Sequence, residues 1–331
     1  MNRTYFCHMK TFFSFLLVAT VIVSCKTTPQ IPTRSIGFYN VENLFDTIDG
    51  INDDAEYLPD AKKNWNSEKY NEKLNHINQV IDQWNNPLLI GLCEIENAAV
   101  VRDVMKTSSK MRNYGLVHYE SPDARGIDVA LIYDSMSIKL NQSGYLRYTL
   151  PGKEAPSSRD ILWAKFTVDK DTIMAMVNHW PSRSGGTEKS EPNRIAAAQT
   201  ARKFIDSLLL VNKNYKIVFM GDLNDHPSDK APQLIAEKLI PMITELSGDF
   251  GGTYNHMGQF GVLDHIFISE GFLNNKNKKL KIVPYSGKIN SYDFLLEEYK
   301  GNIVPFRTYV GDKYLGGYSD HFPVTVEVSM P

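Results

Sequence analysis

Four apolar runs in this 331-residue sequence end in residues that suit a cation or a phosphate, and a fifth begins after such a pair. Asn40 follows Ile36-Gly37-Phe38-Tyr39, and Glu94 follows the run from Leu88 to Cys93. Asn178 and His179 follow Ile173 to Val177, and Asp222-Leu223-Asn224 follows Ile217 to Gly221. Asp320 and His321 stand immediately before a last apolar stretch. One strand-end Asp or Asn is usually only a turn former. Five such places carrying Glu, His and Asp are harder to assign to turns. If they share one rim of a sheet, they pool into one pocket on rigid support.

The runs themselves read as strands, because Leu, aromatic and β-branched residues dominate them. They span Ser35–Asn40, Leu88–Glu94, Ile127–Tyr133, Ile161–Val168, Ile173–His179, Lys216–Gly221, Leu263–Ser269 and Phe322–Val328. Helical spacing lies between them. Tyr70, Leu74, Ile77, Ile81 and Trp84 recur at three and four, which predicts one apolar helix face. Ser190-Glu191-Pro192 reads as a helix start, with Pro near the first turn, for a helix reaching about Leu210. Strands interspersed with helices indicate an α/β or α+β class. The acidic stretch from Asp46 to Asp60 has no period and reads as a solvated loop. Lys276, Lys278, Lys279 and Lys281 read as a solvated hairpin tip.

Charge narrows the function classes. Lys and Arg number 36 against 38 Asp and Glu, a net charge of −2. A protein that wraps nucleic acid by charge alone is basic, so extended wrapping is disfavoured. A site whose positive charge comes from a bound cation is not excluded. No Pro/Gly/Ser tract divides the chain, so residues 34–331 are expected to be one domain.

The amino terminus reads as a leader. Arg3 and Lys10 precede an uncharged run from Phe12 to Val23, shorter than the ~20 residues a span needs. It ends in Ile22-Val23-Ser24-Cys25, which resembles a bacterial lipobox. Residues 1–24 are then a signal peptide, Cys25 carries the lipid, and 25–33 form a tether. The expected location is outside the cytoplasm, at the periplasm or cell surface, with membrane contact through the anchor alone. Cys93 lies in an apolar run and reads as a buried thiol. No zinc-type Cys/His spacing occurs.

These segments resemble the endonuclease/exonuclease/phosphatase superfamily, which is DNase I-like. Phe38-Tyr39-Asn40-Val41-Glu42-Asn43 resembles its first motif and Leu92-Cys93-Glu94 its second. Asn178-His179-Trp180 resembles the third and Gly221-Asp222-Leu223-Asn224 the most recognisable one. Leu263-Asp264-His265 and Ser319-Asp320-His321-Phe322-Pro323 complete the set, in order, over nearly all the mature chain. The resemblance implies an α+β fold: a four-layer α/β/β/α sandwich of two mostly antiparallel sheets flanked by helices. It also implies metal-dependent hydrolysis of phosphate esters.

Phosphodiester anions repel a nucleophile, and a hard cation relieves that by neutralising phosphoryl oxygens. The candidate ligands are Asn40, Glu94 and Asp320, an oxygen set that favours Mg²⁺, Mn²⁺ or Ca²⁺ over zinc. Asp222 and His321 are both candidates to take a proton from water, and Asn224 to hold that water. In the family, a residue like Asp264 orients a histidine like His321. Asp128 is a looser candidate to partner His179, which would donate to the phosphate or leaving oxygen. Arg125, Asn178 and Arg183 are substrate-binding candidates, since guanidinium forks suit phosphate. Arg194 reads as a salt bridge or a cap for a neighbouring loop.

Within the superfamily, the words Asn-Val-Glu-Asn-Leu-Phe-Asp and Asn-His-Trp most resemble predicted extracellular bacterial nucleases. Nucleic acid or another phosphodiester is therefore the expected substrate, with no protein partner. A phosphatase or lipid phosphodiesterase of the same fold stays open, as does a binding lipoprotein with a decayed site.

Overall fold

The computed structural model describes Met1 and residues 32–154, 156–169, 171–273 and 280–330. The leader, Cys25, most of the tether and Lys276, Lys278 and Lys279 lie outside the described residues.

Two sheets stack face to face. In the first, β1 (Thr33–Leu44) is flanked by β2 (Leu89–Ile95) and the final strand Val324–Ser329. β4 (Asp128–Asp134) and β3 (Tyr114–His118) continue beyond β2. The second sheet runs β5 (Lys139–Leu146), β6 (Ile161–Val168), β7 (Asp171–His179), β8 (Lys216–Asp222), then the strand Asp264–Ile268. A two-residue strand, Ile240–Pro241, closes its edge.

Each sheet has one parallel pair, and each pair is bridged by a helix. α1 (Ser67–Ile81) lies between β1 and β2, and α3 (Thr187–Val211) between β7 and β8. Parallel neighbours end on the same rim. The chain therefore delivers the ends of β1, β2, β7 and β8 to one end of the sandwich.

Local chemistry supports these elements. Asn66 caps α1 by accepting from the Lys69 N–H at 3.1 Å. Leu74, Ile77 and Ile81 give α1 a buried face. Trp84, in the turn after it, lies on β1 where a Cβ on Gly37 would strike the indole ring. Asn97 caps α2 (Ala98–Thr107), accepting from Ala99 and Val100 N–H groups. α3 begins at Thr187, a turn before the predicted Ser190 start. The Ser190 N–H and hydroxyl instead both bond back to Gly186.

The largest core fills the space between the sheets and beneath α1 and α2; Phe38, Ile90, Val177, Met220 and Ile266 belong to it. A second core, with Met176, Trp180, Phe219 and Ile205, joins the second sheet to α3 and α4 (Lys230–Ala236). This is the expected four-layer α+β sandwich. Cys93 is fully buried. The acidic stretch 46–60 is a loop with its own anchor, since Tyr57 packs with Phe45 and Trp65 in a satellite core. Among the described residues, no helix is long and apolar enough to cross a membrane.

Candidate active site

Strand alternation decides which polar residues reach the cleft. Val177 faces the core between the sheets, so His179, two residues on, faces the same way. Val218 and Met220 do the same for Asp222, and Ile266 and Ile268 for Asp264. Asp222 and Asp264 are direct cross-strand partners. His179 and Asp222 meet Glu94 in a cleft of about 750 Å³ that Tyr254, Asp320 and His321 also line, with Asp264 buried behind it.

The backbone is strained where it turns into this cleft. Glu94 has φ 61° at the bulge that ends β2, and Asn224 has φ 51° just past β8. Such left-handed conformations cost a non-glycine residue about 1–3 kcal/mol each. The bonds of the site hold them. Glu94 accepts from Asn40 Nδ2 at 3.1 Å and from the Asn43 N–H at 3.1 Å. Asp222 accepts from Asn40 Nδ2 at 3.1 Å and from the Asn224 N–H at 2.9 Å. Asn224 Nδ2 donates to the Trp180 carbonyl.

Asn40 differs from its expected role as a ligand. Its Oδ1 accepts the Glu42 N–H at 3.0 Å, and its Nδ2 bridges the two carboxylates. An N–H face cannot ligate a cation, so Asn40 positions Glu94 and Asp222. Asp320 carries a further partner. Its carboxylate lines the cleft and is paired with Arg307 at 3.0 Å. Arg307 in turn bonds Glu42, which accepts the Thr308 N–H.

His321 is backed by Asp264, with Nδ1 2.7 Å from the carboxylate. Burial opposes a charge on the ring, but Asp264 outweighs it and raises the imidazole well above its ordinary value. Its Nε2 faces Asp222 at 3.9 Å. The Tyr254 ring lies against it, 4.8 Å between centroids.

His179 has a different setting. Asp128 does not reach it; that carboxylate accepts from His118 Nε2 at 3.1 Å and from the Ser121 N–H. The cross-strand register of β3 and β4 explains this, because His118 sits opposite Ala130, two residues from Asp128. Among the described residues, His179 Nδ1 is buried with no hydrogen-bond partner. Nε2 lies 3.2 Å from Arg159 Nη1. A guanidinium only donates, so Nε2 is the acceptor and the donor at this position is Arg159. Burial, then Arg159, pushes the imidazole well below its ordinary value.

The remaining candidates separate by burial. Asn178 is buried on the opposite face of β7, with Nδ2 donating to Met220 O and Oδ1 accepting from Trp180. It stitches strands together and cannot touch a substrate. Arg183 lines the cleft, but it is held by Asp225, Asp229 and the Asn224 carbonyl. Arg125 lines the cleft half-exposed, near Asp123. Arg194 is fully buried against Asp225 at 2.7 Å. His265 turns to the outer face and bonds the Asp225 carbonyl.

Arg159 and Tyr254 line the cleft and Arg307 reaches Asp320 from beside it; the motif reading missed all three. Arg159 had a signal. β6 runs antiparallel to β7, so the residues just before β6 share a rim with the end of β7.

The sequence model of the Endonuclease/Exonuclease/phosphatase family matches residues 35–330. The chain belongs to the endonuclease/exonuclease/phosphatase family. Members of this family are hydrolases of phosphate esters, and they include nucleases, phosphatases and phosphodiesterases. Family members are generally dependent on a divalent metal. The fold is similar to that of an endonuclease/exonuclease/phosphatase family protein from Bacteroides thetaiotaomicron, with TM-score 0.55, 15% identity, and 90% of this chain and 98% of that one covered. It is also similar to the human Nocturnin catalytic domain with bound sulfate, with TM-score 0.56, 14% identity, and 91% and 96% covered. A mannosyl-6-phosphatase of Bacteroides thetaiotaomicron aligns with TM-score 0.55 and 16% identity over 89% and 99% of the two chains. No curated protein matches the sequence.

The donor chemistry of the cleft fits a divalent cation. Glu94, His179 and Asp222 offer ligand atoms within 4.8 Å of one another. Burial, with His321 opposing it, pushes Asp222 up to about 7, as expected for a buried carboxylate that lacks a full counter-charge. Arg159 lies on His179 Nε2, the nitrogen nearest Glu94 and Asp222, so the carboxylate oxygens are the donors left at that point.

Proposed function

We propose that this chain is a divalent-metal-dependent phosphodiester hydrolase that acts on nucleic acid outside the cytoplasm. The observation that carries the reading is the meeting of Glu94 and Asp222 with the Asp264–His321 pair in one open cleft.

Glu94 would hold the cation, with waters in its remaining positions; Mg²⁺ suits this, as do Mn²⁺ and Ca²⁺. When bound, it supplies positive charge against the phosphoryl oxygens. The chain's own groups do the rest. Asp222 accepts the proton of the attacking water, and Asn224, held beside it by the Trp180 carbonyl, orients that water. His321, cationic through Asp264, donates Nε2–H to the phosphoryl oxygen as charge builds. Arg159 presents its guanidinium to the same oxygens, and neutral His179 holds its fork in place. Arg125, the more exposed arginine, meets the flanking phosphate.

The nucleic-acid substrate rests on the sequence words shared with extracellular nucleases and on the open cleft. The location rests on the Cys25 lipobox. The test is a substrate panel with the unacylated mature protein: plasmid DNA, RNA, sphingomyelin and small phosphate monoesters, each with Mg²⁺, Mn²⁺ or chelator. Chelator-sensitive cleavage of DNA or RNA is expected. Turnover confined to lipid or monoesters would overturn the substrate and leave the site standing. Radiolabelled palmitate incorporation that disappears in Cys25→Ser tests the anchor.

A further inference from the structure

The cleft occupies one end of the sandwich, and the opposite end has a surface that catalysis does not use. β1 enters the fold at Thr33 and reaches the site at Asn40. Seven residues of strand separate these points by about 23 Å. In the second sheet, Asp264 is at the cleft, and Ile268 lies at the other end of the same strand. Thr33 and Ile268 therefore mark the far end.

That end holds an apolar groove of about 870 Å³. Ile240, Met242, Ile268, Phe272 and Ile282 line it. Three large apolar side chains stand at its rim with little cover: Leu246 is 95% exposed, Tyr285 101% and Leu273 42%. Isolated exposed apolar residues are ordinary, but three around one apolar groove mark a contact surface. The groove also adjoins the start of the folded chain, because Ser329 lines it and pairs with both Thr33 and Lys281.

We infer that this far end is a lipid-facing surface, which rests against the bilayer that holds the anchor. The inference rests on the anchored reading of Cys25. Thr33 is eight residue steps from Cys25, so an acylated Cys25 keeps the bilayer within about 28 Å of the start of β1. The surface closest to that point along the sheet is the groove. Leu246, Leu273 and Tyr285 have the character of side chains that enter the headgroup boundary, where a phenol keeps its hydroxyl wet. Docking this way points the cleft away from the membrane. The substrate it meets is then a soluble phosphodiester, and the lipids of the same bilayer lie behind it.

The experiment uses the unacylated mature protein and vesicles of phosphatidylethanolamine and phosphatidylglycerol. The wild-type chain is expected to partition measurably. Leu246→Glu, Leu273→Glu and Tyr285→Glu together should lower its partition coefficient about tenfold or more, since each removes an apolar group that docking would bury. Hydrolysis of a soluble diester should be unchanged, which separates this inference from the reading of the site. Tyr285→Trp gives a second readout: brominated lipid should quench its fluorescence. Equal partition of both proteins, no partition of either, or an unquenched Trp overturns the inference. A wild-type dimer that the triple substitution makes monomeric, without vesicle binding, would make the groove a protein interface and also overturn it.

Discussion

The two histidines of the cleft lie on opposite sides of Asp222 and are built in opposite ways. His321 Nδ1 has a carboxylate at 2.7 Å, and the ring is pushed up. His179 Nδ1 has no partner, its Nε2 meets a guanidinium at 3.2 Å, and the ring is pushed down. The same side chain, equally near the same aspartate, is favoured as the cation on one side and as the neutral ring on the other. The group bonded to each ring sets its role, and the residue type does not.

That asymmetry can be broken at several points. The largest effect is expected from His321→Ala, which removes the cationic donor. Its kcat on a diester should fall about 10³-fold in steady-state assays. Asp264→Asn keeps the ring and loses the charge behind it, and should cost about 10²-fold, with the fold intact by circular dichroism. Arg159→Met should cost about tenfold. It should also free the His179 nitrogen, which imidazole ¹⁵N shifts would report as a changed tautomer. If Arg159→Met costs more than Asp264→Asn, the two sides have been assigned in the wrong order. Asp128→Asn should leave kcat within about twofold and lower stability by about 1–2 kcal/mol, because Asp128 serves His118 and the Ser121 N–H.

The smallest effect lies under the cleft wall. Buried Lys73 donates to the Thr308 hydroxyl and to the Tyr318 carbonyl, and burial lowers it to about 8. Between pH 8 and its unfolded value near 10.5, the unfolded chain binds the extra proton, so stability rises with pH in that window. In Lys73→Met, denaturant unfolding should lose that one-proton slope.

Much of this was legible in the sequence. The strand-end polar residues reached one rim because the two parallel pairs, β1–β2 and β7–β8, end there. Ile161–Val168 matches the predicted strand residue for residue. The errors come from information that lies across the sheet. Asn178 was grouped with His179, although adjacent strand residues face opposite ways and Met174 and Met176 already mark its side as the outer core. Asp128 was given to His179, yet the register of β3 on β4 delivers it to His118. Arg307 reaches Asp320 from a segment with no periodic pattern, so nothing local announced it. β3, β5, α2 and α4 were also missed, being short or half-exposed segments with weak apolar patterning.

The most direct test of the site is hydrolysis of a soluble phosphodiester by wild type and Glu94→Gln across a Mg²⁺ titration with a chelator control. Turnover should vanish with chelator, return with Mg²⁺, and fall at least about 10²-fold in Glu94→Gln at saturating metal. Turnover that survives the chelator, or is unaltered in Glu94→Gln, would contradict the assignment of the cleft.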